Sequence, residues 1–148
     1  MTFPLRCVSA YFPKLLRLSL GVMYLTHAQL KIFTFTMPGA AAFFEKVGFA
    51  GWMVYPVVAA EVVGGLLLIL GIKSRWVALV LIPILAGAAY THWGNGWVFT
   101  ATGGGWEYPV FLIVASLVQA LLGDGAYALK RPASTGSVAR HTYAGDTA

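Results

Sequence analysis

WMVYPVVAAEVVGGLLLILG, residues 52–71, decides how this chain is read. At ~1.5 Å of helix rise per residue, the run is about as long as a bilayer's hydrocarbon core is thick. Near its centre stands one carboxylate, Glu61. An ionisable group at that depth costs roughly 2.5–3.5 kcal/mol on insertion scales. Glu61 therefore needs a partner or a proton, and the rest of the sequence must supply it.

The surrounding composition makes lipid the natural solvent. Of the 148 residues, 59% are hydrophobic and only 10% charged, against about 25% charged in an ordinary soluble domain. The net charge is +5, but the basic residues are scattered through apolar sequence. That pattern argues against a nucleic-acid partner. Cys7 is the single cysteine, which excludes an intrachain disulfide and a paired-thiol redox motif.

Outward from residues 52–71, three more apolar stretches give an all-α bundle of four transmembrane helices, at about 14–33, 52–71, 75–93 and 106–123. Residues 1–130 form the membrane domain, and 131–148 read as a polar, disordered cytoplasmic tail. Between the first two spans, Pro38 and Gly39 break the helix, and AAAFFEKVGF beyond them suits a short interfacial helix. Residues 94–105 are glycine-rich and uncharged, and read as a flexible loop.

With four alternating spans both termini share a side. Arg6, Lys14, Arg17, Lys73, Arg75, Lys130, Arg131 and Arg140 fall on it, against Lys31 and Lys46 opposite. The positive-inside rule makes the first side cytoplasmic, in a bacterial-type inner membrane. A signal-peptide reading of the first span fails for want of a mature soluble domain after it. Small residues on the second span (Ala59, Ala60, Gly64, Gly65) and the third (Ala86 to Ala89) suit close helix packing. A faint repeat relates Leu25-Thr26-His27 to Tyr90-Thr91-His92.

Counting ~1.5 Å per residue from the outer ends puts Glu61 roughly 13 Å deep and His27 roughly 9 Å deep. His92 and Glu107 lie close to the outer surface. Lys31 stacks one turn above His27, and Tyr24 continues that stripe inward. The polar residues thus gather in the outer half, and the inner half holds only Gln119 apart from Arg17. Glu61 and His27 would form the floor of an outer-facing pocket and exchange protons. The plainer alternative has Glu61 hydrogen-bonded to His27, Tyr24 or Tyr90, fixing helix register. Bis-histidine haem is disfavoured because His27 and His92 differ in depth. A zinc set of His27, Glu61, His92 and Glu107 would assemble only if the helices converge, a weak signal, and no metal is assigned. No nucleotide-binding or nucleophile motif is present.

Taken together, several segments resemble the DoxX family of small four-helix membrane proteins. They are His27 to Lys31, AAAFFEKVGFAG (40–51), AAEVVGGLLLILGIKSRWVAL (59–79), His92-Trp93, GGGWEYPVFL (103–112) and GDGAYAL (123–129). The resemblance sets Glu61 at the family's second-span glutamate and Lys31 at its first-span lysine. It departs in the tail, which in the family often reads GPG followed by a serine and an aspartate. Here Asp124, Ala128 and Lys130 stand at those positions.

The resemblance implies a link to membrane oxidoreductase systems, including a thiosulfate:quinone oxidoreductase subunit. The resulting expectation is a membrane subunit that handles a quinone or similar amphiphile, with a redox-complex protein as partner. Glu61 and His27 would handle protons. Lys31 and His92 would orient a polar head, Glu107 would stand near it, and Tyr24, Tyr55 and Tyr90 would line the walls. The rival expectation is a non-catalytic membrane scaffold or chaperone-like partner for another protein.

Overall fold

The computed structural model describes residues 5–129, with side chains from Tyr11 onward. The 131–148 tail and the basic residues Lys130, Arg131 and Arg140 lie outside the described residues. Every regular element within them is helical: α1 (Leu5–Gln29), α2 (Met37–Lys46), α3 (Val54–Leu70), α4 (Ser74–His92) and α5 (Glu107–Leu122). A single π-helical turn, Leu30–Thr34, extends α1. Short 3-10 turns, Gly51–Met53 and Trp93–Asn95, precede α3 and follow α4.

Three boundaries differ from the sequence reading. The first helix begins at Leu5 and runs through Pro13, some nine residues ahead of the apolar stretch that marks it. Pro38 and Gly39 start α2 instead of breaking a helix. Proline suits a first helical turn because its missing N–H has no intrahelical acceptor there, and Thr36 Oγ1 accepts from Gly39 N at 3.4 Å. The glycine-rich segment after α4 is a tied loop. Trp106 N donates to Gly96 O and Glu107 N to Trp97 O, while Asn95 Nδ2 bonds the carbonyls of Gly103 and Gly104. Trp106 stacks on Trp93 and meets Trp97 edge-on.

The four long helices form a ring. Helix α1 packs most extensively on α3 and α4 on α5, and narrower α3–α4 and α1–α5 contacts close it. All four contacts are antiparallel. One end of the bundle carries Arg17, the Gly71 turn and the segment after α5. The other carries Lys31, α2 and the tryptophan loop. Leu20, Tyr24, Leu68, Ala78, Leu81, Leu85 and Leu112 form the main core, and Ala28, Ala40, Val54 and Val58 form a second one beneath α2.

Outside that core the helices are apolar too. Leu15, Trp76, Val80, Phe111 and Leu121 are each about two-thirds or more exposed, a distribution that water does not favour and lipid does. Two hydroxyls on this outer face, Ser19 and Thr26, donate to their own helix at Leu15 O and Val22 O. That is how a hydroxyl is satisfied where no water reaches. The stretches Gly51–Leu70 and Ser74–Asn95 are long and apolar enough to cross a membrane, and α5 is apolar but shorter.

Small residues set the helix spacing, but not where the sequence pattern put all of them. A Cβ on Gly65 would lie 2.9 Å from Gly21 O and 3.0 Å from Leu25 Cγ, and one on Gly64 would lie 2.8 Å from Leu81 Cδ1. Gly64 and Gly65 thus face two different partners, α4 and α1. Gly87, in the Ala86–Ala89 stretch, faces open space. Gly65→Val should lower stability in detergent by about 1–3 kcal/mol, the usual range for overpacking. Gly87→Ala should be neutral or stabilising by up to ~1 kcal/mol through helix propensity. Thermal unfolding of the two variants checks this, and equal effects would contradict the packing.

Candidate functional site

Helix α3 turns Val54, Val58, Glu61, Gly64, Gly65 and Leu68 inward, a three-and-four spacing that puts them on one stripe. Glu61 is the acidic member and is 3% exposed. Its partner is Lys31, whose Nζ donates to both carboxylate oxygens, at 2.7 Å to Oε1 and 2.9 Å to Oε2. The lysine side chain is 20% exposed, so the pair has one buried and one half-open member. Lys31 lies in the π turn. Such wide turns are rare and tend to mark functional positions. The ammonium is delivered by a long flexible stem.

The expected His27–Glu61 pairing is therefore corrected. His27 Nδ1 donates to Met23 O at 2.9 Å, and its ring stacks on Tyr108 of α5 at 6.2 Å. The reason is rotational. Ala28, about 100° further round the helix, takes the side toward α3 and packs with Val54 and Val58, which turns His27 toward α5. A carbonyl can only accept, so Nδ1 holds the ring proton and Nε2 is an acceptor when the ring is neutral.

The other sequence candidates separate. His92 Nδ1 contacts Ala88 O at 2.8 Å and Thr91 Oγ1 at 2.9 Å, at the foot of the tryptophan loop. Glu107 Oε1 accepts from Phe99 N at 2.8 Å, which ties that loop. Tyr24 is buried in the main core. Tyr55 is exposed, and Tyr90, 70% exposed, presents its ring to Phe49; both sit on the outside of the bundle, away from the interior that holds Glu61. Among the described residues no three His, Cys, Asp or Glu side chains gather as a metal site, so the zinc set weighed from sequence does not assemble.

A second polar group, largely unread in the sequence, lies toward the Gly71 end. Arg17 is 1% exposed, and Ser74, Ser116 and Gln119 are fully buried. Arg17 Nη2 donates to Ala126 O at 3.2 Å. Gly71 has a left-handed φ of 71°, and a Cβ there would collide with the Arg17 guanidinium. Only glycine fits both constraints. Asp124 acts electrostatically on Arg17, and its Oδ1 accepts from Ser74 N at 2.6 Å, at the start of α4. The segment after α5 is also tied by Leu129 N to Leu70 O and by Lys14 over the Tyr127 ring. The residue pattern IVASLVQALLG did carry a signal, since Ser116 and Gln119 are three apart and share a helix face.

With this geometry in view, the comparisons with known proteins are consistent. The DoxX family model matches residues 12–93, more than half the chain and including Arg17, Lys31 and Glu61. A Bacillus subtilis (strain 168) protein named "Putative oxidoreductase CatD" is 30% identical over 121 residues, covering 78% of this chain and 81% of its own length. No solved structure matches. The chain belongs to the DoxX family, and it is accordingly a membrane-associated protein.

Removing one member of a buried ion pair strands the other charge and costs roughly 3–5 kcal/mol, whereas an apolar replacement of both can be near neutral. Lys31→Met and Glu61→Met should each destabilise strongly, and the double variant should recover most of the loss. A double-mutant cycle on detergent-solubilised protein measures the coupling. Additive single effects would contradict a direct pair.

Proposed function

We propose that this DoxX-family chain is the membrane subunit of a quinone-linked oxidoreductase system, with its polar pocket in the outer half of a bacterial inner membrane. Four spans cross the bilayer, the Gly71 end faces the cytoplasm, and the Lys31–Glu61 pair lies toward the opposite side. The observation that carries this reading is the buried pair itself. Such a pair adds little net stability to a bundle, since apolar replacements often pack as well. The name of the Bacillus subtilis relative points to the same class of reaction.

In this reading the quinone head group lies against Lys31, whose ammonium donates to a quinone oxygen in place of one carboxylate contact. Quinone becomes quinol by taking two electrons from a partner donor subunit and two protons from the site. Glu61, a carboxylate at rest, takes up one proton and passes it on, and the His27 ring, through Nε2, takes up and passes on the other, so that both end as they began. His92, near the mouth, favours the polar head. No redox cofactor motif occurs in the chain, so electrons enter from the partner.

Extraction of the protein purified in mild detergent should yield a bound quinone, and Lys31→Met or Glu61→Gln should lose most of it while the protein stays folded. A stoichiometric protein partner with no quinone would favour the scaffold reading instead. The topology has its own check. In a Cys7→Ser background, Lys46→Cys should react with an impermeant maleimide from outside the cell and Lys73→Cys only after permeabilisation. Labelling of both from one side would contradict the span count.

A further inference from the structure

Among the described residues, the buried side-chain atoms without a hydrogen-bond partner are Arg17 Nε and Nη1, Tyr24 Oη, Ser74 Oγ, Ser116 Oγ and Gln119 Oε1. They are not scattered. Arg17, Tyr24 and Lys31 follow one another at seven-residue intervals on α1 and its π turn, two turns or ~10 Å apart, on nearly the same face. Ser116 and Gln119 sit one turn apart on α5, and Gln119 Nε2 donates to Gly123 O at 2.7 Å. Tyr24 is 1% exposed, in the core that α1 shares with α3, α4 and α5, and its hydroxyl has no hydrogen-bond partner. Arg17, Asp124 and Ser74 close the series at the Gly71 end. By helix rise the set is spaced through the bundle interior between the level of Glu61 and the Gly71 turn.

Buried polar atoms find partners, and where protein supplies none, ordered water does, provided each water has two to four polar neighbours. Buried hydroxyl, amide and guanidinium groups facing one interior offer such neighbours, and the leucines around them do not. We infer that Asp124, Ser74, Gln119, Ser116 and Tyr24 form a hydrated proton path between the Gly71 end and Glu61. The inference deepens the proposed function, because it rests on Glu61 as a proton-handling group. It adds the direction from which Glu61 is reprotonated. A proton enters at the Asp124 carboxylate, where Arg17 holds the entrance together, passes along hydroxyls and water, and reaches Glu61. The Lys31 ammonium closes the far end, so the path ends at the site and does not leak across.

Two measurements test this. In labelled protein reconstituted in lipid bilayers, magnetisation transfer from water should reach the side chains of Tyr24, Ser116 and Gln119 but not those of Leu81 or Leu85. The Ser116→Val/Gln119→Leu pair should lose the transfer at Tyr24 and leave the leucine signals unchanged, which shows that the fold is kept. Tyr24 and Gln119 as dry as Leu85 in the unaltered protein would overturn the path. In vesicles holding a trapped pH dye under a potassium diffusion potential, Lys31→Ala should raise proton influx. Adding Ser116→Val and Gln119→Leu should remove that rise. A rise that survives the added pair would overturn the path even with water present. Bound quinone, assayed on the same preparations, should stay at its starting level in the Ser116→Val/Gln119→Leu protein. Its absence from the unaltered protein would count against the quinone reading alone.

Discussion

One ion pair in an apolar bundle imposes most of the order seen here. Glu61 is buried on the inward stripe of α3, and a carboxylate in that position must be met by a donor. Lys31 meets both of its oxygens from a π turn at the end of α1. The pairing fixes the register of α1 against α3, where Gly21 and Gly65 already bring the backbones close. It fixes the end of α1, and so where α2 can lie over Ala28, Val54 and Val58. Ionic pairs of this kind stabilise little in themselves, because the desolvation of two charges offsets their attraction. What the pair supplies is a charged, half-open point in an otherwise apolar frame.

The opposite end is organised by a second cation, in a different manner. Among the described residues, Arg17 under the Gly71 turn makes one hydrogen bond, to Ala126 O, and Asp124, which caps the start of α4 through Ser74 N, interacts with it electrostatically. Asp124 Oδ1 accepts from Ser74 N at 2.6 Å, which satisfies a backbone donor that has no partner within the first turn of a helix. Three sequence-distant segments therefore meet at one guanidinium: α1, the α3–α4 turn and the segment after α5.

The helical fold was legible because its signals are local. Long apolar runs, and the Gly71 that closes residues 52–71, each act within a turn of themselves. The start of α1 was not legible, because Arg6 and Pro13 interrupt the hydropathy without stopping the helix. Within the site, Glu61 and Lys31 were both singled out, but the partnership was assigned to His27. Depth along a helix can be counted from sequence, whereas rotation about it is set by which small residue, here Ala28, packs on the neighbour. Depth counting also could not show that Tyr55 and Tyr90 face outward. The buried polar set at the Gly71 end was mostly missed because Ser74, Ser116 and Asp124 are ordinary residues one at a time. Their meaning comes from sharing one interior, a property of the assembled bundle.

The central claim is that Lys31, and not His27, holds Glu61 inside the membrane-embedded protein. Nitrogen–carbon dipolar recoupling between a labelled Lys31 Nζ and the labelled Glu61 carboxyl carbon, in lipid bilayers, measures that contact directly. The account predicts strong coupling, as for an ammonium in hydrogen-bond contact with both carboxylate oxygens. Weak or absent coupling, with the Lys31 nitrogen instead close to lipid phosphate and the His27 ring close to Glu61, would contradict it.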